Sequence, residues 1–207
     1  MNKEFKILNK EKGLTMIELV ISLFVLVVAV IGVYNAFSIM VVTTNQMSDR
    51  FTAAYLAQEG IEVVRNIRDN NWLAESQNQN PETPIPWNCG LVGDNANCNF
   101  NIDCSSGCQG DYKTGTLSGT ILDSYANTAL NIDANGFYSY SSCPVSNPNC
   151  QTKFKRKITI DPITNSEGEV YILKVVVEVS WEEKPTMLNP AGQPGSITAE
   201  DYLYNWY

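Results

Sequence analysis

The chain has 207 residues, 44% of them apolar and 17% charged, which is enough to build and bury a core and excludes a disordered polyelectrolyte or a collagen-like repeat. It contains no histidine, so the commonest general base, most zinc sites and a Ser-His-Asp triad are missing, and the composition points away from an enzyme. A formal charge of -8 argues against nucleic acid as the principal partner, because affinity for phosphates comes mostly from lysine and arginine.

The first element is a short basic leader, residues 1–13, with Lys3, Lys6, Lys10 and Lys12 set against Glu4 and Glu11. Behind it, residues 19–48 carry no charge, and residues 19–34 are apolar apart from Ser22 and Gly32. That run is long enough to cross a bilayer. The positive-inside rule keeps the leader in the cytoplasm and exports the remainder, which carries -10 once the leader's +2 is taken from -8. An ordinary secretory signal is the competing reading, with Ala36-Phe37-Ser38 as a small-x-small cleavage site and a mature terminus near Ile39. The apolar run is longer than a signal core and continues past that site.

The junction of leader and apolar run is more specific. Lys12-Gly13-Leu14-Thr15-Met16-Ile17-Glu18-Leu19-Val20 places a glycine just before the run and a lone carboxylate five residues after the glycine. This segment resembles the type IV prepilin signal, shared by type IV pilins and type II secretion pseudopilins. The resemblance implies cleavage between Gly13 and Leu14 by a prepilin peptidase and N-methylation of the new amine on Leu14. Membrane lipid then surrounds the helix until the assembly machinery packs it among other pilin subunits.

The residues give that chemistry a physical basis. Glycine at the junction leaves the backbone unhindered where a protease must reach it. Positions 14 and 18 are one helical turn apart, so the Leu14 amine and the Glu18 carboxylate share a helix face or meet between neighbouring subunits. A carboxylate left unpaired at the bilayer centre costs about 3 kcal/mol, so pairing favours docking into a filament. Thr15 to Glu18 is also a capping box, which is compatible with that role but explains neither the glycine nor the basic leader. Leu14 stands where family members more often carry phenylalanine or methionine.

The helix is expected to continue. Ala53, Leu56, Gly60, Val63 and Ile67 recur at spacings of three and four, with Ala54, Ala57, Ile61 and Val64 widening the stripe. Gln58, Glu59, Glu62, Arg65, Asn66 and Asp69 take the opposite face, and no proline occurs before Pro81. One helix over residues 14–71, about 87 Å at 1.5 Å per residue, follows. Its part 14–48 forms the membrane or filament-core half and 49–72 the amphipathic half. The sequence after the apolar run also looks like that of minor pilins and pseudopilins, whereas major pilins usually carry a proline in the membrane half.

Residues 73–184 read as a sheet head. Asn, Gly, Ser, Pro and Cys dominate up to Cys150, which predicts loops and short strands held by disulfides among Cys89, Cys98, Cys104, Cys108, Cys143 and Cys150. Six cysteines allow fifteen pairings. A Cys143 to Cys150 clip is suggested by Pro144 and Pro148 between them and by the strands on either side. Phe154, Arg156, Ile158 and Ile160 alternate with polar neighbours, Asn165 to Gly168 makes a turn, and Tyr171, Leu173, Val175, Val177, Val179 and Trp181 share one strand face. The expectation is an antiparallel hairpin with one buried side. Residues 185–195 form a proline and glycine linker, and residues 196–207 a last strand or short helix.

Other constellations are weaker. Without histidine or Cys-x-x-Cys, zinc gives way to disulfides. Asp133-Ala134-Asn135-Gly136 lacks the closing glutamate of a calcium loop and reads as a hairpin turn. Tyr112 stands where a phosphate loop ending in Lys113-Thr114 requires glycine. Lys153, Lys155, Arg156 and Lys157 form a basic cluster read as a solvated strand face balanced by Glu178, Glu182 and Glu183. No motif requires a cofactor or metal. The chain is therefore expected to be a non-enzymatic α+β pilin-like subunit, closer to minor pilins and pseudopilins than to the bulk subunit. It would sit in the cytoplasmic (inner) membrane with its head outside and then in an extracellular filament. The rival is a membrane-anchored or secreted disulfide-rich adhesin with no filament.

Overall fold

The computed structural model describes residues 13, 15–77, 84–93, 98, 102–115, 121–183, 192 and 194–205. The leader up to Lys12, Leu14, Trp206 and most of the expected 185–195 linker lie outside the described residues. The chain divides into two units, Met1–Asn45 and Gln46–Tyr207.

Helix α1 is Met16–Gln77, its part up to Asn45 in the first unit and its part from Gln46 in the second. In the first unit the large apolar side chains from Met16 to Val41 are exposed, Phe24 at 68% and Tyr34 at 71% among them, so apolar surface surrounds the helix. Four of its hydroxyls are bonded back to the backbone. The Ser22 hydroxyl donates to the Glu18 carbonyl at 2.7 Å and Ser38 to Tyr34 at 3.0 Å. Thr43 donates to Ile39 and Thr44 to Met40, both at 2.9 Å. Such back-bonding hides hydroxyls in a stretch that meets an apolar environment. The helix passes through Gly32 and Asn35 without a break.

In the second unit the predicted stripe is the buried one: Ala53, Leu56, Ala57, Gly60, Ile61, Val63, Val64 and Ile67 face the core, joined by Arg68. Sequence periodicity placed no arginine there. Arg68 is tolerated because Asp69 accepts from its guanidinium at 2.8 Å and the Trp72 ring lies 4.6 Å away. The helix also runs past the expected end at Asn71 to Gln77. The asparagines read as a stop are used otherwise. Asn71 Nδ2 donates to the carbonyls of Trp87 at 3.0 Å and Cys89 at 2.8 Å, pinning the following loop to the helix.

The stripe packs on a five-stranded antiparallel sheet of order β2-β1-β5-β6-β7. The strands are β1 Cys108–Gln109, β2 Asp123–Ser124, β5 Phe154–Thr164, β6 Val170–Glu182 and β7 Pro194–Tyr204, and a separate pair joins β3 Asn131–Ile132 to β4 Tyr138–Ser139. The hairpin β5–β6 sets Phe154 opposite Trp181 and Ile160 opposite Val175, with the turn closed by Gly168 N–H donating to the Asn165 carbonyl at 3.1 Å. Leu173, Val175, Val177, Val179 and Trp181 are buried as the alternation requires. Tyr171, on the same parity, is 44% exposed because the core ends before it. The C-terminal segment is a strand, and it begins earlier than expected: Pro194 and Gly195 belong to β7, not to a linker. An edge strand tolerates proline, and the bare glycine lies against the Trp181 indole, where a Cβ would come within 2.3 Å of the ring.

The disulfides are Cys89–Cys98, Cys104–Cys108 and Cys143–Cys150. They take up all six cysteines, leaving no thiolate for a metal. Asp133 to Phe137 is a hairpin turn between β3 and β4, with Asp133 N–H donating to the Phe137 carbonyl at 2.9 Å and Gly136 at φ +85°.

Candidate functional site

The segment expected to be processed enters the described residues at Gly13. Among the described residues no atom lies within 4 Å of where a Cβ would stand on it, so their packing makes no demand for glycine there. Thr15 then starts the helix. Its hydroxyl accepts from the Glu18 N–H at 3.4 Å, and its carbonyl accepts from Leu19 N–H at 3.2 Å, the forward half of the expected cap. Glu18 is the acidic residue of the first turn, exposed and close to the positive end of the helix dipole. Leu14 lies outside the described residues, so the pairing of its amine with Glu18 is not read from geometry. The helix behind Glu18 contains a stretch long and apolar enough to cross a membrane.

The second functional element is the helix part within the head. Here Arg156, read from sequence as part of a solvated basic face, is fully buried. Its strand parity with Phe154, Ile158 and Ile160 was the signal for that, and it outweighs charge. Arg156 Nη1 donates to the Leu56 carbonyl at 3.0 Å and stands 3.3 Å from the Glu59 carboxylate, and Nη2 donates to the Gly110 carbonyl. One guanidinium thus ties α1, β5 and the loop after β1. Gly60 lies beside it: a Cβ there would stand 2.7 Å from Val177 Cγ1 and 3.1 Å from Arg156 Cδ. Glycine at this position brings helix and sheet closer than any other residue allows. The remaining members of the basic cluster behave as expected of a surface. Lys153 pairs with Asp49 at 2.6 Å, and Lys157 stands opposite Glu178 in the strand register.

Further contacts fix the loops on this frame. Asp111, buried, accepts from Lys113 N–H at 3.0 Å and from Tyr140 N–H at 3.0 Å. Tyr140 donates its hydroxyl to the Arg156 carbonyl at 3.0 Å. Burial pushes the Tyr140 phenol up to about 12, with the Arg156 charge pulling the other way. The Asp133 carboxyl is held below its usual range, chiefly by the hydrogen bond from the Tyr112 hydroxyl. These residues carry no signature in the sequence, since each acts through a partner distant in the chain. Among the described residues no group of three carboxylates or thiols is placed to hold a metal ion.

The chain matches one family, the prokaryotic N-terminal methylation motif, over residues 8–34. Neither a curated protein nor a solved structure matches it. The matched residues enclose Gly13, Leu14 and Glu18 and the first turns of α1, the region that resembles the prepilin signal.

Proposed function

We propose that this type IV pilin-like protein is a minor subunit of a type IV pilus or a related filament. A prepilin peptidase removes residues 1–13, methylates the amine of Leu14, and the mature chain enters the filament through its N-terminal helix, with Glu18 as the partner of that amine. The observation that carries this reading is the coincidence of the methylation motif at residues 8–34 with a helix whose only charge from Thr15 to Ser48 is Glu18. The apolar surface all round the helix up to Asn45, with its hydroxyls bonded back to the backbone, suits lipid before assembly and other pilin helices after it. The protein then moves from the cytoplasmic membrane, with the head outside, to an extracellular filament.

Assembly is the mechanism. The membrane-facing half supplies apolar area, and the absence of any other charge there makes Glu18 the position at which register is set. In a low-dielectric helix bundle a carboxylate and a secondary ammonium attract strongly, and a register that leaves either unpaired is disfavoured by about 3 kcal/mol. A minor rather than bulk role is supported by the proline-free apolar half.

Mass spectrometry of the mature N-terminus tests the proposal. N-methyl-Leu14 is expected; a terminus near Ile39 would assign the chain to ordinary secretion and to the rival reading, a disulfide-rich adhesin outside any filament.

A further inference from the structure

Past Asn45, α1 carries apolar side chains that the head does not cover. Met47, Phe51 and Tyr55 are 56%, 67% and 72% exposed. At about 3.6 residues per turn they share the side of the helix opposite Ala53, Leu56, Gly60 and Val64, which face the sheet. Lipid does not account for them. A span of about twenty residues starting at Leu19 is complete by Ser38, and the charged pair Asp49-Arg50 separates Phe51 and Tyr55 from the charge-free run.

The spacing identifies the kind of surface. Phe37, Met40, Thr44, Met47, Phe51 and Ala54 alternate at intervals of three and four, the a and d positions of a heptad repeat. Where the helix is apolar all round any register would fit, so the repeat is informative from Thr44 on. There Asn45, Gln46, Ser48, Asp49 and Arg50 fill the positions between with polar groups. Thr44 donates its hydroxyl to the Met40 carbonyl at 2.9 Å and so brings no unpaired donor to the seam. Asp49, at the f position, meets Lys153 of the head at 2.6 Å, as a residue opposite the seam should.

The flanks select the occupant. Arg50 and Tyr55 take g and e positions, which meet across a parallel two-stranded pair. Arg50 is exposed and makes no ion pair among the described residues, and a guanidinium over a phenol ring is a favourable contact. Two copies of the seam make that contact twice. Parallel is also the orientation a membrane imposes, because the positive-inside rule inserts every copy with its leader on the same side. Phe37, Met40, Met47, Phe51 and Tyr55, each more than half exposed, offer on the order of 600 Å² per chain, near the about 800 Å² per partner of a stable complex.

We infer that two copies of this chain pair in the membrane as parallel helices, joined through the seam from Phe37 to Ala54, with Arg50 of each set against Tyr55 of the other. The sheet packs on the other side of α1, so the heads do not obstruct Met47 and Phe51. The inference rests on anchoring through α1 and not on entry into a filament.

The test uses the full chain in isolated membranes with a short bismaleimide as the probe. The native cysteines are held in disulfides, so one introduced thiol reports alone. Met47→Cys and Phe51→Cys should each give a covalent dimer of twice the chain mass, at a yield at least about tenfold above that of Asn45→Cys, an exposed b position. Adding Phe51→Lys to Met47→Cys should lower the yield at least about tenfold by setting like charges across the seam. The melting temperature of the head should not change, since Phe51 is mostly exposed. Coexpression with a Met47→Cys chain carrying Phe51→Glu should restore the dimer. Equal yields at positions 45 and 47, adducts to another protein in place of a second copy, or undiminished cross-linking with Phe51→Lys would each overturn the inference. If the lysine variant misfolds, the comparison of positions 45, 47 and 51 decides alone. All yields are read in membranes, so failure to enter filaments would refute the proposed function and leave this pairing intact.

Discussion

Arg156 on β5 donates to the main-chain carbonyl of Leu56 on α1 at 3.0 Å from a position with no solvent exposure. The bond joins residues a hundred positions apart and fixes the register of the helix on the sheet. The accompanying carboxylate, Glu59, is one-third exposed and so keeps part of its hydration. A buried guanidinium with two carbonyls and a half-solvated acid therefore sets position more than it adds net stability.

Replacing Arg156 with alanine leaves the Gly110 carbonyl without this donor and opens a void, and we expect the head to lose about 3 kcal/mol. Arg156→Met fills the volume without the charge and should lose less, more so when combined with Glu59→Gln. Urea unfolding followed by tryptophan fluorescence distinguishes these. Equal losses for alanine and methionine would mean that volume plays no part.

Gly60 gives a prediction whose sign reverses the usual rule. In an open helix Gly→Ala stabilises by about 1 kcal/mol. At Gly60 the added methyl meets Val177 at 2.7 Å and Arg156 at 3.1 Å, so Gly60→Ala should destabilise the head by about 1 to 3 kcal/mol. Gly32, with nothing within 4 Å of its Cβ position, should follow the usual rule instead. Adding Val177→Ala to Gly60→Ala should recover part of the loss, since it removes the atom struck first.

What could be read in the sequence followed from periodicity and punctuation. The helical stripe from Ala53 to Ile67, the β5–β6 alternation and the Asn165 to Gly168 turn were legible because each is a local pattern repeated over many residues. The end of α1 at Gln77 was not, because Asn71, a residue type typical of helix ends, spends its side chain on the Trp87 and Cys89 carbonyls. Arg156 was legible in its parity and misread in its chemistry, because charge argues for the surface unless a distant carbonyl receives it. The start of β7 was hidden by Pro194 and Gly195, turn residues that here serve an edge strand and an indole. The methylation-motif segment was the clearest part of the chain, since glycine, a lone glutamate and a charge-free run lie within one short stretch of sequence.

At that segment, Gly13 replaced by a bulky residue should leave the precursor in the membrane with its leader attached. No packing reason for glycine exists within the described chain, so any loss of processing reports on the peptidase. Unchanged gel mobility together with an unchanged mature terminus would contradict this. Glu18→Val should be processed normally yet absent from sheared filaments, because the helix and its apolar surface persist while the carboxylate proposed to pair with the Leu14 amine is gone.

The three bridges should differ in accessibility. Cys104 and Cys108 are 1% and 0% exposed, whereas Cys143 is only half-buried in an exposed loop. Under limiting reductant Cys143–Cys150 should open before Cys104–Cys108, as alkylation and peptide mapping would record. Cys143→Ser with Cys150→Ser should cost about 2 to 3 kcal/mol by the loop-closure argument and expose the intervening loop to protease, with leader removal unaffected. Earlier labelling of Cys104 or Cys108 would contradict the order.

Alkaline pH should release the contact beneath Arg156. Burial raises the Tyr140 phenol from 10.0 to about 12, so the folded state holds that proton more tightly than the unfolded chain does. The stability linked to it is fully present below pH 10 and is lost as pH climbs through about 12, the sign expected when a folded-state value is raised. Tyr140→Phe removes both the titration and the hydroxyl's bond to the Arg156 carbonyl. The variant should be less stable by about 1 kcal/mol at neutral pH and should show a shallower loss between pH 10 and 12 than the parent. Because the chain has ten tyrosines, the measurement compares denaturation midpoints of parent and variant across that window, not the total tyrosinate signal. Parallel alkaline limbs would show that Tyr140 does not govern the transition and would place the loss with the other tyrosines of the head.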